Sequence, residues 1–314
     1  MTRVKEATMM HCEGCTLFSI EDGPEYARCH ALGRSEISDH CLNSRIAWNA
    51  GFYYQKIALD DCFSLLSNGG IFTTPHLTWP LGVVTAQKLE CILDAVYPVF
   101  AARGWPLRLM YIDAAGLPLL KELRQYTASI SYNPDFSDYI YDADLLRDLS
   151  GKAMHKKRNH VNRFYRLYPD FTYEPIRQDH QAEAMALVQA WCDEKQVDCL
   201  NLCGSDYRAV RQLFREMHRL DVRGGCIRID GKLVAFALGS ELNGDTAVIH
   251  FEKADAAYDG LYAAINQMVL QNAFPDVRWV NREEDMGILG LRKAKESYGP
   301  VRQVHKYEAL LTRI

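Results

Sequence analysis

Most of what limits the fold of this 314-residue chain is a repeat of element types with negligible sequence identity behind it. Asn68-Gly69 precedes an apolar strand, and Asn243-Gly244 does the same 175 residues later. A helical pattern begins near Ala86 and another near Leu261, again 175 apart. The strand "LRLMYI" from Leu107 is answered by "VRWVN" from Val277, at 170, and the helix "LPLLKELRQY" from Leu117 by one from Ile288, at 171. Four elements of matching type at nearly one offset predict two copies of one domain. The chain is long enough for two domains that each bury a core.

The second copy is the clearer one. "FTYEPI" predicts a strand. Met185, Val188, Trp191 and Cys192 define one helical face, and Val210, Leu213, Phe214, Met217 and Leu220 a second. "GGCIRIDGKLVAFALGS" predicts two strands around Asp230-Gly231, and "NGDTAVIHFE" a third after Asn243-Gly244. Both dipeptides suit type I′ hairpin turns, because both central residues tolerate positive φ. A helix carrying Leu261, Ile265, Met268 and Val269 follows, then "VRWVN", the helix "ILGLRKAKESY" and a last strand "VRQVHKYEAL". The order is β-α-α-β-β-β-α-β-α-β.

Charge singles out one segment. With 36 Lys and Arg against 40 Asp and Glu the chain is mildly acidic, which argues against general nucleic-acid coating. Yet "GKAMHKKRNHVNRFYR", residues 151–166, holds Lys152, Lys156, Lys157, Arg158, Arg163 and Arg166 with no acid. On a helix, Lys152, Lys156, Arg163 and Arg166 fall near one side with His155, while Val161, Phe164 and Leu167 can face inward. Such a face suits phosphates of a polyanion. A plain solvated face is the competing reading, although exposed helices normally mix signs. No apolar run approaches the ~20 residues that span a bilayer, and the N-terminus lacks the apolar core of a signal peptide, so the expected location is cytoplasmic.

Ten cysteines fit reduced thiols. Cys91, Cys192, Cys199 and Cys226 read as small core residues. Cys12, Cys15, Cys29-His30 and His40-Cys41 carry ligand chemistry for zinc, but the spacing is irregular and no metal is assigned.

The element order resembles the GNAT acyltransferase fold in tandem, as in the Fem-type peptidyltransferases and the C-terminal domain of lysylphosphatidylglycerol synthases. The nearer resemblance is to soluble members of the latter family. It rests on "LSGKAMHKKRNHVNRF" and "NREEDMGILGLRKAKESYGPV", with Gly151-Lys152, Arg158 and Asn162 matching the family signature. The resemblance implies an α/β chain with mixed sheets and two GNAT-like domains. The expected division is a degenerate domain over 1–145, a basic connecting helix over 146–169 lining a groove between the domains, and a second domain over 170–314. It also implies an acyltransferase that moves an aminoacyl group from aminoacyl-tRNA to a hydroxyl or amine. The acceptor would be a small molecule, a peptide or a lipid head group.

The β-α-β crossover around residues 246–285 puts two parallel strand ends on one edge. Glu252 and Lys253 end the first strand; Asn281, Arg282, Glu283, Glu284 and Asp285 end the second. Glu252 or Glu283 is the candidate base or ammonium anchor, the two expected close together, with Asp285 beside them and Tyr298 as acid for the leaving group. Asn281, Arg282, Arg292 and Lys295 are candidate substrate contacts, and Lys152, Lys156, Arg158, Asn162, Arg163 and Arg166 would hold the polyanion. An acidic turn capping the next helix is the plainer alternative. His250 reads as a satisfied histidine.

No cofactor is expected. "KADAAYDGLYA" offers one glycine, Gly260, and two aspartates, Asp255 and Asp259, where an acyl-CoA enzyme needs a glycine-rich phosphate turn. "PHLTWPLGVVTA" in the first copy, with Gly82 alone, is no better. Acetyl-CoA or another acyl-CoA is therefore the less favoured donor. An acyl-CoA-dependent N-acyltransferase and a non-catalytic amino-acid- or RNA-binding protein stay open as alternatives.

Overall fold

The computed structural model describes residues 15–72, 74–196 and 206–314; Cys12 and Cys199 lie outside them. The first stretch runs β1 (Thr16–Leu17), α1 (Gly23–Gly33), α2 (Leu42–Phe52), β2 (Gln55–Leu59), β3 (Cys62–Ser67), β4 (His76–Thr78), β5 (Leu81–Gly82), α3 (Ala86–Ala102), β6 (Leu107–Ile112), α4 (Leu117–Lys121) and β7 (Tyr126–Tyr132). Next come β8 (Asp138–Asp142), α5 (Ala143–Asp148), α6 (His155–Leu167), β9 (Thr172–Pro175), α7 (Gln181–Glu194), α8 (Asp206–Glu216), β10 (Arg223–Ile229), β11 (Lys232–Asn243) and β12 (Thr246–Ala254). The chain finishes with α9 (Leu261–Asn272), β13 (Trp279–Asn281), α10 (Leu289–Glu296), β14 (Arg302–Val304) and β15 (Tyr307–Arg313).

Two mixed sheets result. One has the order β1-β2-β3-β4-β6-β15-β7, with β5 against β3; the other, taken from its far edge, has β9-β10-β11-β12-β13-β8-β14. The orders match strand for strand. The parallel pairings also match: β4 with β6 and β12 with β13 run parallel, and every other pairing is antiparallel. The repeat inferred from element offsets is therefore a repeat of topology.

The division of the chain differs from the expected one. Residues up to Pro134 together with His305–Ile314 form one unit, and Asp135–Val304 the other. The reason is hydrogen bonding. β15 lies between β6 and β7 in the first sheet, while β8 lies between β13 and β14 in the second. The single strand expected over "VRQVHKYEAL" is thus two strands, β14 and β15, that serve different sheets. The basic segment is not a connector but part of the second unit. Val161 and Phe164 are buried in that unit's core, whereas Leu167 stays 45% exposed.

Local chemistry explains the elements around the site. Asp230 and Gly231 take φ of 50° and 76°, as the type I′ turn requires. Asn243 stays in β11, and neither it nor Gly244 adopts a positive φ, so the expected second I′ turn does not form. α3 begins at Thr85, whose side chain accepts from the Lys88 amide, and it buries Leu89, Ile92, Leu93, Val96 and Phe100 on the first sheet. In the second unit α5, α6 and α9 cover one face of the sheet through Leu146, Val161, Phe164, Ile265 and Val269. Gly260, at φ 82°, opens α9; a Cβ there would sit 2.2 Å from the His160 carbonyl oxygen. Only glycine lets α6 lie this close to the start of α9.

Candidate site at the parting of two parallel strands

β12 and β13 pair over only three residues, from Thr246–Trp279 to Val248–Asn281. Beyond them β12 continues without β13. Its pairing with β11 skips His250, since Leu238 faces Phe251 and Gly239 faces Ile249, so His250 is the extra residue of a β-bulge. Bulges re-aim side chains and end pairing. This one turns Glu252 toward α9 and Lys253 toward α7 and α8.

On the α9 side, Glu252 accepts a 2.8 Å hydrogen bond from Asn266 Nδ2 and pairs with Arg282 Nη2 at 3.3 Å. Their side chains retain 12% and 14% exposure. The Arg282 guanidinium lies 4.8 Å from the Tyr298 ring centroid and 5.8 Å from that of Tyr141. Lys157 reaches the same ring from α6, its Nζ 3.7 Å from the Tyr298 centroid. Burial, with the charge of Arg282 second, lowers the Lys157 ammonium to about 8 against the opposing pull of Glu252. Burial disfavours the Arg282 charge, yet Glu252 and the two tyrosines hold it firmly protonated. Burial pushes the Tyr298 hydroxyl up to about 12. Two buried polar atoms here have no hydrogen-bond partner: Arg282 Nη1, a donor, and Asn266 Oδ1, an acceptor.

The other expected residues have structural partners. Glu283, at φ 58°, accepts from His250 Nδ1 at 3.1 Å, and His250 Nε2 lies 2.6 Å from Ser240 Oγ. Glu252 thus holds an arginine and Glu283 a histidine. Lys253 donates to Asp206 at 2.6 Å and lies over the Trp191 ring at 3.7 Å. Asn281 donates to Asp138 and accepts from the Glu283 amide at 2.7 Å, fixing the turn. Asp285 takes bonds from Arg292 Nε (2.8 Å), Arg292 Nη2 (2.7 Å), the Tyr139 hydroxyl (2.6 Å) and the Gly287 amide (2.8 Å). The Arg292 bonds lead in holding its carboxyl at about 2. A carboxylate so fully engaged is a structural staple, not a base, and Arg292, which also binds Asp135, is its clamp. Lys295 is buried and donates to the carbonyls of Arg282 and Glu283; burial lowers it to about 8. It positions the turn.

Of the basic segment, Arg158 donates to the carbonyls of Leu149 and Gly151, closing the α5–α6 turn. Arg163 pairs with Asp259 at 2.6 Å. Lys152, Lys156, Asn162 and Arg166 are exposed, and Asn159, Asn162, Arg163 and Arg166 line an open depression of about 330 Å³. Cys91, expected in the core, is exposed. Cys29 and Cys41 are buried and not in disulfides, whereas Cys15 and Cys192 are disulfide-bonded, which corrects the expectation of reduced thiols at those two positions. Sequence reasoning missed Lys157 as a site residue, along with Tyr141 and Asn266. The only signal was helical phase: Lys157 is one turn before the inward-facing Val161.

The family described as phosphatidylglycerol lysyltransferase, C-terminal, matches residues 57–310. An uncharacterized protein of Mycoplasmoides gallisepticum is 26% identical over 64% of this chain, and the match spans 65% of that protein's length. A conserved protein of unknown function from Bacteroides thetaiotaomicron superposes with a TM-score of 0.83 at 29% identity, covering 95% of this chain and 99% of that one. The C-terminal domain of a protein named as a lysylphosphatidylglycerol synthetase from Agrobacterium fabrum gives 0.63 at 17%, covering 92% of each. FemX and a tandem GNAT protein from the clavulanic acid biosynthesis pathway share the fold, at 0.63 and 0.52, each 10% identical. Their coverage is 94% of this chain and 96% of FemX, and 94% of this chain and 98% of the tandem GNAT protein. The fold is therefore a tandem GNAT fold of the Fem type. Among the described residues no helix is long and apolar enough to cross a membrane.

Proposed function

Since the chain belongs to the phosphatidylglycerol lysyltransferase C-terminal family, whose fold is that of acyl and aminoacyl transferases, we propose that it transfers an aminoacyl group from aminoacyl-tRNA to a hydroxyl or amine. The reacting carbonyl would lie where β12 and β13 part. The observation that carries this reading is the set of groups meeting there: a spare donor on Arg282, a spare acceptor on Asn266, and the Lys157 amine.

Each group has a role in the transfer. Near pH 8 a large share of Lys157 is the free amine, which can accept the proton of the attacking acceptor. The acceptor's oxygen or nitrogen bonds to the ester carbonyl carbon, and the charge that builds on the carbonyl oxygen is met by Arg282 Nη1. The ester C–O bond to the tRNA then breaks, and Lys157 returns its proton to the departing tRNA hydroxyl. Glu252 and Asn266 hold Arg282 in place. Asn266 Oδ1 is suited to an ammonium or hydroxyl hydrogen of the transferred group.

The donor choice follows from α9. Acyl-CoA enzymes seat the pyrophosphate on the first turn of the crossover helix. Here α6 packs onto that turn, with the His160 carbonyl against Gly260 and Asp259 paired to Arg163. Both features oppose a pyrophosphate there and favour a donor whose phosphates bind elsewhere, such as on the exposed Lys152, Lys156 and Arg166. The test is incubation with charged tRNA or with acetyl-CoA over a panel of amines, alcohols, peptides and phosphatidylglycerol, read by mass spectrometry. Transfer from tRNA that drops at least 10²-fold in Arg282→Met supports the reading. Transfer from acetyl-CoA alone overturns it.

A further inference from the structure

The first unit holds a second polar cluster, on the side of its sheet away from α3. Arg45, on α2, is 3% exposed. Its Nη1 donates to the Tyr54 hydroxyl at 2.8 Å and lies 3.8 Å from Asp39 Oδ1. The guanidinium sits over the Tyr111 ring at 4.5 Å and the Tyr54 ring at 5.4 Å. Its Nε and Nη2 are buried with no hydrogen-bond partner. These two nitrogens form one edge of the guanidinium, the edge whose parallel N–H groups match the two oxygens of a carboxylate.

Two imidazoles beside it are also incomplete. His76 and His40 lie with ring centroids 6.0 and 6.4 Å from that of Tyr111, and the Nε2 of each is buried without a partner. His76 Nδ1 is 3.3 Å from the Thr74 carbonyl oxygen, so Nδ1 carries the proton and Nε2 is a bare acceptor. Burial keeps both rings neutral at physiological pH. Asp39 pairs with both Arg45 and Lys306, at 3.8 and 2.6 Å. Tyr111 has φ 63° and follows directly on Met110, where the parallel pairing of β4 and β6 ends. Strain of that kind in a non-glycine residue concentrates at functional sites. Buried polar groups normally have partners, and here nitrogens of three side chains around one tyrosine lack them.

We propose that this cluster is a binding site for a small carboxylate, held bidentate on the Nε–Nη2 edge of Arg45. The ligand also donates an O–H or N–H to His76 Nε2, which defines its class as a small hydroxy acid or amino acid. The site belongs to the first unit and does not rest on the transferase reading.

The test uses the full chain with trifluoroacetate as a ¹⁹F NMR probe. A saturable change in the ¹⁹F signal is expected, reversed by glycolate or glycine but not by chloride at equal ionic strength. Arg45→Lys keeps the charge but not the fork, and should weaken the probe at least about tenfold. No saturable change, equal affinity in Arg45→Lys, or stronger displacement by inorganic phosphate than by glycolate would each overturn the proposal. Should that variant not fold, wild-type crystals grown with glycolate decide. Carboxylate density on the Arg45 edge supports the site, and ordered water alone overturns it.

Discussion

Lys157 gives a test of the crevice that needs no knowledge of the substrate. A fall from the ordinary 10.5 to about 8 means that the fold disfavours the ammonium relative to the unfolded chain, and because the side chain is only partly buried, screening by water discounts the cost to about 1–2 kcal/mol. Lys157→Met keeps the length and the ring contact but removes the charge. The variant should therefore be more stable than the parent at pH 7, by about 1–2 kcal/mol. The sign of the pH dependence follows from proton counting. Between pH 8 and 10.5 the unfolded lysine still holds its proton while the folded one has lost it, so the parent gains stability as pH rises. The variant does not, and the two curves should meet near pH 10.5. Lys295, also lowered to about 8, is present in both proteins and drops out of the difference. Urea unfolding at half-unit steps from about pH 7 to about 10.5 reads the effect. A variant less stable at pH 7, or a difference that does not change with pH, would refute the reasoning. A residue that lowers stability in the crevice proposed for transfer is what a stability–activity trade-off produces.

Other outcomes follow from single interactions. Asp285→Asn removes one of the two carboxylate partners of Arg292 and should cost about 2–4 kcal/mol in urea at pH 7. Because the Asp285 carboxyl is held at about 2, this stability is present above pH ~4 and fades as pH falls toward 2, so parent and variant should converge there. Gly260→Ala forces a Cβ into the His160 carbonyl; a destabilisation of at least about 2 kcal/mol is expected, with faster amide exchange across α6. Lys152→Ala, Lys156→Ala and Arg166→Ala combined should flatten the salt dependence of tRNA binding, by about 0.7 in log–log slope for each phosphate no longer neutralised. Unchanged slopes would reduce that face to a solvated one.

The architecture was legible because topology follows element order, and the order survived where identity did not. Glu252 and Arg282 were legible for the same reason: a parallel crossover fixes where two strand ends meet. What escaped was side-chain direction. One extra residue at His250 changes which face Glu252 and Lys253 occupy, and no periodicity in "TAVIHFEK" announces a bulge. Asp285 and Lys295 read as site groups by proximity in sequence, yet burial consumes one in an arginine clamp and the other on two carbonyls. Lys157 was hidden in the opposite way. Within a run of six cations it looked solvated, and only the packing of α6 on α9 makes it the one that meets Tyr298. The exchanged strands could not be read at all, since β8 and β15 carry the same alternating pattern whichever sheet receives them.

That exchange ties the two halves into one folding problem. β6 must find β15 about 200 residues away, as the Arg108–Glu308 ion pair across them records. Pairings of such separation are the slow ones, because chain closure comes before any gain from them. During synthesis the first sheet waits with a gap between β6 and β7 until β15 emerges. Neither repeat can then be lost, shuffled or expressed alone without exposing strand edges. The first sheet is complete only once strands from both ends of the sequence have been made.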